Sequence, residues 1–453
     1  MEAATKESRP LFTNQQLCAL IVPLLIEQLL AVAVGMADTM MVSQAGEAAV
    51  SVVSLVDMIN NLIIYLFSAL ATGGAVVTSQ FIGARRIREA GDSAGQLVLL
   101  SLLSGLGILA FCLLCGRPVM RLFFGSITED VMEAGLLYLR ITAVSYPFLA
   151  LYNAGAALFR SVGNSGISMR VSIVMNLINI VGNAIGVLVL HLGVAGVALP
   201  TLISRAVAAF LILRAAEHGA GPVQLHLRGL RLRGHMGRRM LEIGVPSAVE
   251  NGLFQLGRLL VVSIIATFGT AQIAANAVAN NLDGMAILGG QALGLATITV
   301  VGQCVGAGDY AQARRYNRKL MLISWLLIAA SVAAILISLP LLLNLYNISD
   351  EARVLSAQLV RLHNIPAIAL WCLSFTLPNT LRAAGDARFT MVVSIVSMAV
   401  FRIGFSVVLG IWMGMGAIGV WIAMDIDWVC RVICFVARYF SGAWTRKYQN
   451  YQA

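Results

Sequence analysis

Asp38, Asn179, Asn183 and Thr201 carry side-chain oxygens that together could hold a small cation. One carboxylate with amide and hydroxyl oxygens is the donor set that a small hard cation requires. Asn179 and Asn183 are four residues apart, so on a helix they face the same way, with Asn176 one turn earlier. The same group could instead hold a protonatable carboxyl through hydrogen bonds. It could also be polar glue between helices, worth about 0.6 kcal/mol per bond. A second set of acids, Glu27, Glu250 and Asp283, suits proton or substrate binding. Glu27 and Asp38 are separated by about three helical turns, roughly 16 Å, and end only about 20° off the same face. Both carboxyls can therefore line one side of a helix at two depths.

These acids matter because of what surrounds them. The chain has 453 residues, of which 59% are hydrophobic and 11% charged. Soluble domains carry about 25% charge, so a soluble enzyme, a nucleic-acid binder and a disordered chain are all poor readings. A charge at the centre of a bilayer costs about 3 kcal/mol or more, which makes each one a functional suspect. Asp57, Asp425 and Asp427 are also acids within apolar runs. Arg431 lies four residues after Asp427, and an i,i+4 ion pair is the plain reading there. Arg205, Arg402, Arg140 and Arg361 snorkel or pair internally on this reading and receive no role. Trp371, Phe375 and Met398 are candidates to line a cavity for flat apolar ligands, with packing the plainer reading. Cys112-x-x-Cys115 has a redox or zinc spacing, but no second pair or His cluster accompanies it.

A bilayer core needs about 20 apolar residues in a helix. Twelve such runs are read: 17–42, 50–80, 95–115, 135–159, 168–190, 193–214, 241–268, 274–305, 318–339, 353–380, 389–412 and 414–438. The first is too long for a cleavable signal and reads as a span. About 22 of the 31 basic residues fall in alternate loops and the tails, and three in the other loops. That asymmetry places both termini in the cytoplasm and needs no nucleic acid.

An internal repeat runs at a period of about 223 residues. Val22-Pro23 with Glu27 recurs as Val245-Pro246 with Glu250, and Gln80-x-x-Gly83 as Gln303-x-x-Gly306. Arg160-x-x-Gly163 recurs as Arg382-x-x-Gly385, Gly193-x-x-Gly196-Val197 as Gly416-x-x-Gly419-Val420, and Pro118 as Pro340. Six spans per half is an even number, so the halves share one orientation. The expected fold is an all-α polytopic membrane protein with twelve transmembrane helices in two pseudo-symmetric six-helix lobes, a parallel 6+6 repeat. Secondary transporters built this way carry the substrate path between the halves. The division is a cytoplasmic tail (1–16), an N-terminal lobe (17–214), a basic cytoplasmic linker (215–240), a C-terminal lobe (241–439) and a cytoplasmic tail (440–453).

The chain resembles the multidrug and toxic compound extrusion (MATE) transporters over nearly all its length. The segments that carry the resemblance are Gly35-Met-Ala-Asp38-Thr-Met-Met-Val42, Ser79-Gln80-x-x-Gly83, Leu158-Phe-Arg160-Ser-Val-Gly163-Asn164 and Leu381-Arg382-Ala-Ala-Gly385-Asp386. Asn179-x-x-x-Asn183 and Gly193-Val-Ala-Gly196 add to it. The resemblance implies two lobes around a V-shaped cleft and export of organic cations or other amphipathic compounds in exchange for Na⁺ or H⁺. It maps a first-lobe coupling-cation site onto Asp38, Asn179, Asn183 and Thr201, and an acid early in the seventh span onto Glu250. Some members carry a further acid where this chain has Trp371, and Asp where it has Asn183.

The expected activity is thus a cation-coupled antiporter in the cell membrane that exports amphipathic or cationic small molecules by alternating access. It has membrane lipid around it, no nucleic-acid partner and a monomeric state. No catalytic residue, cofactor or metal is expected beyond Na⁺ at Asp38. An intramembrane enzyme would need a nucleophile–base or metal constellation, and His191 and His363 read as lying near the outer interface. The rival within the same superfamily is a lipid or lipid-linked-sugar flippase.

Overall fold

The computed structural model describes residues 10–43, 47–125, 128–219, 223, 234–346 and 348–449. His226, the Gly221-Pro222 turn and most of the basic linker lie outside the described residues. Long apolar runs fold as helices because a bilayer offers no water to backbone N–H and C=O groups, which must bond within the segment. The N-lobe contains α1 (Asn14–Ser43), α2 (Glu47–Gly83), α3 (Ile87–Phe124), α4 (Glu129–Val144), α5 (Tyr146–Ser161), α6 (Ser165–Ala184) and α7 (Ala195–Glu217). The C-lobe contains α8 (Gly234–Ala266), α9 (Thr270–Ala286), α10 (Leu288–Gly306), α11 (Tyr310–Asn344) and α12 (Asp350–Trp371). It continues with α13 (Leu377–Ala383), α14 (Ala387–Ser397), α15 (Gly416–Phe440) and the short α16 (Ala443–Gln449). Two apolar cores hold these helices: one is mostly C-lobe but takes in Leu17, Leu20, Ile21 and Leu24 of α1, and the other is mostly N-lobe but takes in Met240 and Ile243 of α8, Ile298 of α10 and Ala387 of α14.

Ten helices among the described residues are long and apolar enough to cross a bilayer, and the α4–α5 pair, bent by 41°, makes an eleventh. The twelfth rod is α15, whose 25 residues carry Asp425, Asp427 and Arg431 near the middle. Five of the apolar runs are not single α-helices; runs 168–190 and 389–412 end in π-helical turns, at Ile185–Val189 and at Met398–Gly404 and Ser406–Trp412. Run 135–159 breaks at Ser145, just before Pro147. Run 274–305 breaks at Ile287, before Gly289 and Gly290. Run 353–380 passes through a π-helical turn at Cys372–Thr376. The polar linker is also shorter than its composition implies, since α7 continues to Glu217 and α8 starts at Gly234.

The lobes meet where α2 packs along α8 and α10, and α1 along α10. At the end bearing the basic loops, α2 and α10 cross at the two copies of the Gln-x-x-Gly motif. A Cβ on Gly83 would sit 1.9 Å from the Gln303 carbonyl oxygen, and one on Gly306 1.9 Å from that of Gln80. Only glycine permits so close an approach of two backbones. The glutamines then reach across the lobes in matched fashion. Gln80 Nε2 donates to the Ala383 carbonyl at 2.8 Å, and Gln303 Nε2 to the Ser161 carbonyl at 2.7 Å. Arg239 also bonds the Gln80 side chain.

The segment before α1 belongs structurally to the other lobe. Leu11 N donates to Gln312 Oε1 at 2.9 Å, and Phe12 N to the Tyr316 hydroxyl at 2.9 Å. That hydroxyl donates back to the Phe12 carbonyl at 2.7 Å, and Asn14 bonds Lys319. Gln312, Tyr316 and Lys319 are all on α11.

Candidate functional site

The structure brings the expected first-lobe residues together. Asp38 hangs from α1, Asn179 and Asn183 from α6, and Thr201 from α7. Asn183 Nδ2 donates to Asp38 Oδ1 at 2.9 Å and to Asn179 Oδ1 at 3.3 Å. Asn179 Nδ2 donates to Thr201 Oγ1 at 3.0 Å, and that hydroxyl donates to the Val197 carbonyl. The four side chains thus form one relay, with the buried Asn183 Oδ1 left without a partner. A buried acceptor with no donor is costly unless a ligand supplies one.

Asp38, Asn179 and Thr201 line a pocket of about 370 Å³ inside the N-lobe. Asp57, Tyr138 and Arg205 complete its wall. Asp57 Oδ1 accepts from Asn60 at 3.0 Å and from the Tyr138 hydroxyl at 3.3 Å. Arg205 donates to Ser145 Oγ at 2.8 Å, at the break between α4 and α5. Two carboxylates against one guanidinium give the pocket a formal charge of −1 when both acids are ionised. One monovalent cation balances it. The sequence reading gives Arg205 no role beyond snorkelling or pairing internally, and it does not single out Tyr138. Their signal is weak, a lone arginine and a tyrosine in apolar runs, and only the packing of α4 against both α2 and α7 brings them to Asp57.

A second cavity, of about 470 Å³, lies between the lobes. Its floor includes Thr72 of α2 and Ile298 of α10. The Gln-x-x-Gly crossing lies about one and a half to three helical turns below these residues. Its walls are mostly C-lobe and hold Glu250, Asp283, Arg382, Arg402 and Arg431. Glu250 is almost wholly enclosed. Its Oε2 pairs with Arg382 at 2.7 Å, Oε1 accepts from Ser394 at 2.5 Å, and Arg431 stands 3.7 Å away.

The repeat explains why Glu27 behaves differently from Glu250. Arg160 and Ser168 stand beside Glu27 as Arg382 and Thr390 stand beside Glu250. Ser172 stands 222 residues before Ser394 in the sequence. Arg431, however, has alanine at its counterpart positions, Ala208 and Ala209. Glu27 therefore lacks the second guanidinium, and its buried Oε1 is unpartnered. Glu27 lines neither cavity. Asp283 does line the inter-lobe cavity, with Oδ1 unpartnered.

Two expectations are corrected. Asp427 does not follow the i,i+4 reading. Its Oδ2 pairs with Arg402 Nε at 3.0 Å and Ser397 bonds its other oxygen, while Arg431 turns toward Glu250. His363 is not interfacial. It is fully buried, packed between Trp421 and Trp428, and its Nδ1 meets Asp425 Oδ1 at 2.5 Å. Trp371 and Phe375 line the inter-lobe cavity, whereas Met398 packs against Gly257. Removing one partner of a buried ion pair costs about 3–5 kcal/mol. Asp427→Asn, which strands Arg402, is therefore expected to lower Tm markedly in a detergent thermal-shift assay. An unchanged Tm would show that Arg402 is satisfied without it.

The comparisons with known proteins agree with this architecture. The sequence model of the MatE family matches residues 23–185 and again residues 246–408. The two matches are offset by the same 223 residues as the motif repeat. The chain is 29% identical to the uncharacterized transporter YisQ of Bacillus subtilis, over 98% of each chain. It is 23% identical to the probable multidrug resistance protein NorM of Thermotoga maritima, over 96% of this chain and 94% of that protein. An outward-facing structure of a multidrug resistance MATE family transporter of the MOP superfamily superposes with a TM-score of 0.89. It is 22% identical and covers 95% of this chain and 96% of that one. Two copies of one family fold, packed as two lobes around a shared cavity, make this chain a member of the MatE family.

Proposed function

We propose that this protein is an ion-coupled antiporter of the cell membrane that exports amphipathic small molecules by alternating access. The observation that carries the reading is the separation of two polar sites. A pocket of formal charge −1, built on Asp38, lies within the N-lobe, and a larger cavity lies between the lobes. The first suits a coupling Na⁺ or H⁺, held by Asp38, Asn179, Asn183 and Thr201. The second suits an organic substrate. The names of the relatives, several of them multidrug resistance proteins, support a small molecule as the cargo.

On this reading the basic loops and both termini are cytoplasmic, so the Gln-x-x-Gly crossing is the closed inner gate and the cavity faces outward. Ion binding in the N-lobe favours the conformation that holds the ion better, which is the only way a ligand can shift such an equilibrium. Since the ion site is not in the inter-lobe cavity, coupling runs through lobe movement rather than direct competition at Asp38. Each charge that crosses 100 mV supplies about 2.3 kcal/mol. One chain supplies both lobes and both sites, which fits a monomer. Glu27, Glu250 and Asp283 remain candidates for proton or substrate binding. Glu27→Gln is expected to change the pH dependence of export without abolishing it, and identical pH–rate profiles would remove Glu27 from the proton path.

The deciding experiment is flux of fluorescent amphipaths from proteoliposomes under separately imposed Na⁺ and pH gradients. Flux driven by one gradient and absent without it establishes the antiporter and names the ion. Gradient-independent lipid scrambling by the folded protein would overturn the reading in favour of a flippase.

A further inference from the structure

The inter-lobe cavity has the opposite polarity from the N-lobe pocket, and the repeat shows how. Asp38, Asn179, Asn183 and Thr201 stand 223 residues before Val261, Arg402, Ser406 and Met424. Around the copied site the C-lobe has an apolar residue in place of the carboxylate, and a guanidinium, that of Arg402, falls within one residue of the Asn179 position. The acids that remain around it are mostly engaged. Glu250 is bonded by Arg382 and Ser394, Asp427 by Arg402 and Ser397, and Asp425 by His363.

What is left over are donors. Arg382 Nε, Arg402 Nη2, Arg431 Nε and Nη1, and Trp428 Nε1 are buried and unpartnered. The Arg402 and Arg431 side chains are only 4% and 3% exposed. All four residues line the same cavity. Against them stands one unpartnered carboxylate oxygen, Asp283 Oδ1, among the described cavity-lining residues. Buried donors without acceptors are costly, and more so when charged. An oxyanion would satisfy several at once, and a guanidinium is shaped to receive one through paired N–H groups. Rings adjoin the donors. Arg431 lies 4.4 Å from the Phe375 ring centroid and Arg402 4.9 Å from that of Phe254, and Trp371 stacks on Phe375 at 5.2 Å. A flat apolar body could lie along this wall.

We propose that the inter-lobe cavity binds aromatic carboxylates, with the carboxylate received by Arg431 and Arg402 and the ring by Phe254, Phe375 and Trp371. This deepens the transport reading and rests on it for the movement of the ligand, though not for its binding. An anionic cargo has no affinity for the Asp38 pocket, so ion and substrate would occupy separate sites together or in turn without displacing each other.

The test uses the purified full-length protein and two probes that share one ring system, 9-anthracenecarboxylate and 9-(aminomethyl)anthracene. Titration calorimetry is expected to show the carboxylate binding at least tenfold more tightly than the ammonium. Arg431→Gln is expected to bring the two within about twofold. Should that variant fail to fold, Arg258→Gln serves in its place. Arg258 is exposed on the cavity wall, and its loss is expected to weaken the carboxylate two- to fivefold. Equal affinities, a preference for the ammonium, a preference untouched by the variants that fold, or no binding of either probe would overturn the inference. Flux in proteoliposomes separates it from the transport reading. Ion-driven export of the ammonium alone would sink the anion assignment and leave the antiporter standing. Carboxylate binding with no ion-driven flux would leave the site standing and sink the antiporter.

Discussion

Asp38→Asn is expected to abolish ion-driven export, by at least a hundredfold, while the protein remains folded and inserted. The substitution keeps the size of the side chain and a hydrogen-bonding partner for Asn183, which now donates to Asp38 Oδ1 at 2.9 Å. It removes the charge. The pocket then holds Asp57 against Arg205, with no net charge left for a cation to balance. An isolated cation in that pocket would face the full cost of leaving water. Export rate against the imposed ion gradient is the measurement, with substrate binding in detergent as the companion. Binding should persist, because Asp38 is not in the inter-lobe cavity. Export at the unaltered rate would reduce Asp38 to a structural role, and loss of substrate binding would contradict the separation of the two sites.

Gly83→Ala is expected to force the α2–α10 crossing apart. The added carbon would meet the Gln303 carbonyl oxygen at 1.9 Å, and that neighbour is backbone, which cannot rotate aside as a side chain can. The crossing must separate for the methyl to fit. Ser79 offers a reporter, since it is fully buried and its Cβ packs 3.0 Å from where a Gly302 side chain would begin. In Ser79→Cys alone, the thiol should react slowly with a maleimide added from the side of the basic loops. In the double variant it should react at least tenfold faster, and export should fall at least tenfold because the gate no longer seals. Gly306→Ala, the symmetric counterpart, should do the same. An unchanged labelling rate would mean that the crossing relaxes locally and is not the gate.

Much of this arrangement is written in local features of the chain. Glu27, Asp38 and Glu250 announce themselves because a carboxyl in an apolar run is expensive. The repeat announces itself because Gln-x-x-Gly and Arg-x-x-Gly return at one offset. Asp38, Asn179, Asn183 and Thr201 come from three helices and still meet, because each sits where a parallel six-helix lobe turns its polar faces inward. The break at Ser145 is hidden because hydropathy is similar on both sides of it, and the one at Ile287 because a helix carrying Asn276, Asn280 and Asp283 runs on without a polar gap into a more apolar one. A span test by length sees only one run. From sequence, His363 reads as lying near the outer interface. Its burial is created by Trp421, Trp428 and Asp425, all from α15. Asp427 took Arg402 rather than Arg431 for a similar reason. The nearer arginine in sequence is drawn to Glu250 on α8, a partner that only the packed lobe supplies.

The start of the chain has a mechanical consequence. Leu11, Phe12 and Asn14 are fastened to α11 of one lobe, and the helix that follows them carries Asp38 in the other. If the lobes tilt about the α2–α10 crossing, the distance between those anchors and Asp38 changes. The helix must then bend, and Pro23 is where it lacks a backbone bond and yields most easily. On the proposed transport reading, α1 would then work as a leaf spring clamped at one end and loaded at the other, and the occupancy of the Asp38 pocket and the angle between the lobes would become two readings of the same deflection.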